Sequence, residues 1–304
     1  MHHPSVSGQT EPRSFLARYY YYHIHLLHYF GVGDFEKSYM ASRKLIGLYN
    51  EYPKKREESI ESYASIMTNA LRLLSNLNHR EEWDSLLIET RNTCRLISVK
   101  EVREAFIGNT YHSEINYYVN TGDLPKALEK VAEVESRMEY FSEEARVDIY
   151  PLISDLYFIL GDYKTSLQWL NRGMDTPSHL KGDSLYYFYN RIRFLILHLE
   201  LGNRDLLEYA VISTYRHLRK KKSLYKAESA LLKFIKNELP GFRNAEDIQR
   251  GLGKLHETLK ALEEDPFEAG LFKRTFMIPW LESKITGRSL AEIVREKAGT
   301  ENKE

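Results

Sequence analysis

The chain has 304 residues, 42% hydrophobic and 28% charged, which is enough apolar material for a buried core and too much for a disordered chain. Its 43 lysines and arginines balance its 43 aspartates and glutamates, so there is no general attraction to nucleic acid or anionic lipid. The single cysteine, Cys94, excludes an intrachain disulfide and any zinc site built on paired cysteines, and it fits a reducing, cytoplasmic setting.

Residues 1–13 are polar and read as a disordered tail. Apolar periodicity then predicts helices over 14–30 and 34–50, with Pro53 ending the pair. Residues 19–30, YYYYHIHLLHYF, look at first like a signal peptide or a metal site. No small-residue cleavage site follows, and His25 and His28 have no third ligand placed by spacing. The next helices are expected over 57–77, 81–97, 100–120, 124–140, 143–160 and 163–174, with Pro177 in the loop that follows. They continue over 183–200, 204–219, 222–238 and 244–263, broken at Pro240-Gly241. Asp265-Pro266 opens a terminal segment, and SLAEIVREK reads as a capping helix with Ser289 as N-cap and Glu292 three residues on. No run of about 18 apolar residues occurs, so no membrane span is expected.

An internal repeat organises this map. The tetrads GDFE, GDLP, GDYK and GNRD begin at Gly33, Gly122, Gly161 and Gly202. The last three lie about 40 residues apart, and the longer first gap leaves room for a unit in which Asn78 replaces the glycine. Four residues before each glycine stand Tyr29, Tyr118, Tyr157 and His198; seven before stand Leu26, Ile115, Ser154 and Leu195. Eleven before stand Tyr22, Tyr111, Tyr150 and Arg191, so one helical face recurs. Glycine closes the first helix of each unit and Asp or Asn caps the second. One such pair cannot bury both faces, so neighbours must stack.

The unit Tyr111 to Glu133, YHSEINYYVNTGDLPKALEKVAE, resembles a tetratricopeptide repeat. It has an aromatic at the start, Tyr118 before the turn, Gly122-Asp123-Leu124, and the small Ala127 where the helices cross. Gly161-Asp162-Tyr163 with Ser166, and Gly33-Asp34-Phe35 with Ser38, are weaker copies; in the fourth unit Leu207 replaces the small residue. The whole chain is also similar to bacterial tetratricopeptide-like proteins. The resemblance implies an all-α fold: an α-solenoid of about five to six stacked antiparallel helical hairpins over 14–263, with a capping segment over 264–304.

Complete catalytic signatures are lacking. There is no HExxH, and Gly251-Leu252-Gly253-Lys254 lacks both the earlier glycine and the following Ser/Thr of a phosphate loop. GVGDF at 31–35 follows a helix and lacks a third glycine, so it reads as a turn. The basic run Arg216, Arg219, Lys220, Lys221, Lys222 and Lys226 reads as a solvated helix end in a neutral chain. Cys94, in an apolar run, reads as buried.

The resemblance implies that partners bind the concave side, at positions thirteen, ten and six before the turn glycine. These are Tyr20, His23 and Leu27; Ser65, Thr68 and Arg72; Asn109, His112 and Asn116; and Asp148, Pro151 and Asp155. Of these, Tyr20, His23, Thr68, Arg72, Asn109, His112, Asn116 and Asp155 are the candidate binding residues, with Asn76 and Asn120 near the turn. Asparagine and arginine there suit the backbone or terminal carboxylate of an extended peptide. The expectation is therefore a non-enzymatic scaffold for a protein or peptide segment, with no cofactor or metal, no nucleic acid and no membrane. The alternative is a regulatory repeat protein that senses a small ligand.

Overall fold

The computed structural model describes residues 13–77, 79–175, 185–220, 225–265, 268, 272 and 275–301. Among them every regular element is helical and there is no strand. The helices are α1 (Phe15–Gly31), α2 (Phe35–Glu51), α3 (Pro53–Glu58), α4 (Ile60–Leu74), α5 (Arg80–Arg95), α6 (Lys100–Asn120), α7 (Leu124–Arg137) and α8 (Glu143–Ile159). They continue as α9 (Tyr163–Met174), α10 (Leu185–Glu200), α11 (Arg204–Lys220), α12 (Lys226–Lys233), α13 (Ala245–Lys260), α14 (Met277–Thr286) and α15 (Leu290–Glu301). The chain forms two compact units, Met1–Arg146 and Val147–Glu304, a division that the sequence reading of one continuous array over 14–263 does not contain. The tail over 1–12, Asn78, Pro177 and the lysines at 221 and 222 lie outside the described residues.

The turns repeat at the level of individual bonds. Gly33, Gly122, Gly161 and Gly202 all have φ between 70° and 79°, the left-handed region that a Cβ disfavours. At three of them the next amide reaches back five residues: Asp34 N to the Tyr29 carbonyl (2.9 Å), Asp162 N to Tyr157 (3.0 Å) and Asn203 N to His198 (3.0 Å). This closure uses carbonyls that a helix end leaves without partners. Asp34, Asp123 and Asp162 then accept from the amides of Lys37, Lys126 and Thr165 and start the next helix.

A second bond explains the small residue five places after the glycine. Ser38 Oγ donates to the Leu26 carbonyl (2.9 Å), and Ser166 Oγ donates to the Ser154 carbonyl (2.7 Å). Both hydroxyls are fully buried, and the two bonds join equivalent positions in different units. Ala127, also fully buried, holds the same place without a hydroxyl. In the unit that contains Asn78 the corresponding residue is Trp83, fully buried and stacked on Tyr117 with ring centroids 4.1 Å apart. A large aromatic there fills space that Ser38, Ala127 and Ser166 leave to a small side chain.

In the first unit, Leu26 meets Ser38 beside the turn, while Phe15 and Arg18 meet Tyr49 and Glu51 at the far end, so α1 and α2 run antiparallel. The core is built where α2, α4, α5 and α6 meet, around Leu45, Tyr63, Met67, Leu71, Leu74 and Trp83. Tyr39 and Tyr63 keep their rings in that core and donate their hydroxyls to Glu82 (2.5 Å) and Glu89 (3.0 Å) at its edge. Glu114, buried on α6, is held by Arg91 of α5 at 2.6 Å and faces Lys130 of α7. α3 begins at Pro53, where the sequence reading only ended a helix; proline at the first helical position has no amide bond to lose.

In the second unit, α9 packs on α10 and α10 on α11. Gly173 of α9 lies against Tyr150 and Pro151 of α8, where an added Cβ would come within 3.4 Å of Tyr150. α14 has no counterpart in the sequence-based map. Its Trp280 Nε1 donates to Glu200 Oε1 (2.5 Å), and Lys284 pairs with the same carboxylate (2.5 Å) while its ammonium sits over the Tyr163 ring. Pro279, in the first turn of this short helix, resembles a break when read along the chain. The cap predicted for α15 is present: Ser289 Oγ accepts from Glu292 N (3.2 Å) and Glu292 Oε2 accepts from Ser289 N (2.8 Å).

Gly161→Ala places a Cβ in open space but at φ +79°, so strain alone is tested. Chemical denaturation should show a loss of about 1–2 kcal/mol. Gly253→Ala, in the middle of α13 and also with open space, should instead gain about 0.5–1 kcal/mol.

Candidate functional site

The first unit gathers most of the sequence-predicted binding residues on α4 and α6, which pack together. Arg72 and Asn76 stand one turn apart near the end of α4. Asn109, His112 and Asn116 follow one face of α6, with Asn120 at its last position. The face divides by role. Asn116 Nδ2 donates to Ser75 Oγ (2.9 Å), and Asn120 Nδ2 donates to the Ser75 carbonyl (2.9 Å). These two amides tie α6 to the end of α4. Thr68 is buried and returns its hydroxyl to the Ser65 carbonyl of its own helix. Arg72, Asn109 and Asn116 are half-buried and Asn76 is exposed, so a polar row reaches solvent above the buried pair Thr68 and His112.

His112 is buried, and its Nδ1 has no hydrogen-bond partner. Burial, reinforced by the nearby Arg72 charge, holds its pKa well below the ordinary histidine range, so the ring is neutral at physiological pH. Asn109 opens onto a shallow depression of about 360 Å³ lined by Glu101, Val102, Ala105, Phe106 and Ser142. Phe106 and Val102 were not picked out from the sequence. They lie one turn and two turns before Asn109 and Thr110 on α6, where helix spacing alone does not separate a lining residue from a core residue.

The other candidates lie apart from this row. Tyr20 is exposed and His23 half-buried on α1, where the His23 ring stacks on Tyr19 at 5.5 Å. His25 stacks on Tyr29 at 5.8 Å and meets Tyr21 edge-on. Among the described residues no group of three or more His, Cys, Asp or Glu is close enough to hold a metal ion. Asp155, in the second unit, forms an ion pair with the buried Arg193 of α10. Burial pushes its carboxyl up to about 6 against the opposing pull of Arg193. It is held as a contact between α8 and α10.

Three motifs of the sequence resolve without chemistry. Gly251-Leu252-Gly253-Lys254 lies inside α13, and the Phe242 ring comes so close that a Cβ on Gly251 would sit 2.3 Å from it. That glycine serves packing. Cys94 is buried, with its thiol pushed up to about 11 by burial. Lys226, from the basic run, pairs with Asp265 at 2.7 Å. No helix among the described residues is long and apolar enough to cross a membrane. No protein-family model matches the chain, and no curated protein is matched by it.

A histidine held neutral by burial stabilises the fold most above its unfolded pKa of 6.5 and loses that contribution as pH falls toward its lower folded value. Urea midpoints at pH 7.5 and pH 5.5 should therefore differ less in His112→Leu than in the wild type. An equal acid sensitivity in the two would show that His112 is not the group responsible.

Proposed function

We propose that the chain is a non-catalytic interaction module, a tetratricopeptide-like stack of helical hairpins that binds an extended peptide segment across α4 and α6. The repeat reading is supported by the recurrence, in different units, of the same left-handed glycine, the same aspartate cap and the same hydroxyl-to-carbonyl bond. The observation that carries the binding reading is the solvent-reaching row of Arg72, Asn76, Asn109 and Asn116. Amide side chains offer a donor and an acceptor each and match a peptide backbone, while a guanidinium matches a carboxylate. The ligand class is thus an extended segment with a free C-terminus or an acidic side chain. The fixing of Asn116 by Ser75 supports this role, because a side chain already ordered loses little freedom on binding.

A second reading, a regulatory repeat protein that senses a small ligand, draws on the depression beside Asn109, whose volume falls within the range of small-molecule sites. It would show as a ligand-dependent rise in melting temperature.

Peptides selected from a display library on the full chain provide the test. Arg72→Ala should weaken the selected peptides about tenfold or more, the effect of losing a charge-assisted hydrogen bond. Asn109→Ala should weaken them less, and circular dichroism of both variants should match the wild type. Affinities unchanged by either substitution across all selected peptides would remove the face from consideration.

A further inference from the structure

The α1 helix carries a feature that peptide binding on α4 and α6 does not use. Leu16, Tyr20, Leu27 and Phe30 are 58%, 56%, 55% and 44% exposed, with Ile24 beside them at 43%. With His23 they run 16, 20, 23, 27, 30, alternating steps of four and three, which is the seam pattern of paired helices. From Tyr19 to Gly33 there is no lysine, arginine, aspartate or glutamate. The stripe is therefore both apolar and uncharged, on a helix whose adjoining face, Phe15, Tyr19, Tyr22 and Leu26, is already packed on α2.

We propose that this stripe is a homotypic interface, covered by α1 of a second copy of the chain in an antiparallel, two-fold arrangement. Its spacing is self-complementary, as a two-fold interface requires. His23 is the midpoint of Phe15–Gly31. A two-fold axis there sets Leu16 opposite Phe30 and Tyr20 opposite Leu27 of the second copy, so each apolar residue meets another. The lone polar position sits at the crossing, where such a residue fixes register. A charged partner finds nothing to pair with along these residues. Residues 1–12 carry only two large apolar side chains, Met1 and Val6, to set against the stripe. The exposed fractions of these five residues amount to about 500 Å² per copy, so two copies bury about 1,000 Å², the size at which a specific interface begins.

The test uses the full chain and its single, buried cysteine, which stays silent as a background. Sedimentation equilibrium at micromolar concentration should give twice the chain mass. The variant carrying Tyr20→Glu and Leu27→Glu, both at exposed positions, should dissociate at least tenfold more readily while keeping the wild-type circular dichroism spectrum. Under mild oxidation His23→Cys should cross-link to its own mate. Leu16→Cys should not, because antiparallel copies place that residue at opposite ends; it should link when mixed with Phe30→Cys. A monomer at these concentrations, a dimer indifferent to the glutamate substitutions, or self-linking of Leu16→Cys would each overturn the proposal. Because none of these residues lies on α4 or α6, failure here leaves the peptide-binding reading standing, and the reverse holds too.

Discussion

The structure depends on how each helix end is satisfied. An all-helical chain has no ladder to absorb stray backbone groups, so each turn must close the carbonyls of one helix and the amides of the next. Glycine at positive φ followed by aspartate does both within two residues. The short turn brings the next helix back beside the first, and the buried Ser38 and Ser166 then set the approach by bonding to a carbonyl of the preceding helix. A larger residue at those positions would push the pair apart. The Trp83 unit shows what the alternative entails: the ring is accommodated by stacking on Tyr117, and its indole Nε1 is buried without a hydrogen-bond partner.

Buried carboxylates are the other constraint, and Glu114, Glu200 and Glu268 are each placed where a neighbouring element answers them. Glu114 is met by Arg91 and Lys130 from the flanking helices, yet burial still raises its pKa. Glu200 gathers Trp280 and Lys284. Glu268 accepts from the amides of Lys226 (2.8 Å) and Ala227 (3.1 Å), so a carboxylate some forty residues later caps α12. Glu228 in the same turn accepts from Tyr225 N at 3.1 Å, while burial first and the Glu268 charge after it push its carboxyl up to about 7. A carboxyl raised in this way contributes most to the fold below its ordinary pKa of 4.5, and that contribution is lost as pH rises toward about 7. His112 has the opposite pH dependence, so the two effects oppose each other below its ordinary pKa of 6.5.

Polar residues on the α4–α6 face illustrate why binding residues are hard to rank from spacing. Positions 109, 112 and 116 share one side of α6, yet Asn109 lines an open depression, His112 is buried and Asn116 braces α4. Helix phase gives direction relative to the helix axis. Whether that direction ends in solvent depends on how closely the next helix approaches, which side-chain volumes on both partners decide.

The sequence by itself determined that the chain is helical, where most helices begin and end, and which glycines and aspartates make the turns, because helix period, capping and left-handed glycine are local physics. The α15 capping box was legible for the same reason. α14 was not, because a ten-residue helix containing a proline is held in place by Glu200, far away in the chain. Nor was the division of YYYYHIHLLHYF legible in full. The sequence placed Tyr22, Leu26 and Tyr29 on the packing face, and the structure buries Leu26 and half-buries both tyrosines. Only the tertiary structure could show that Tyr20, Leu27 and Phe30 remain uncovered, because burial is a property of what packs against a helix and not of the helix itself.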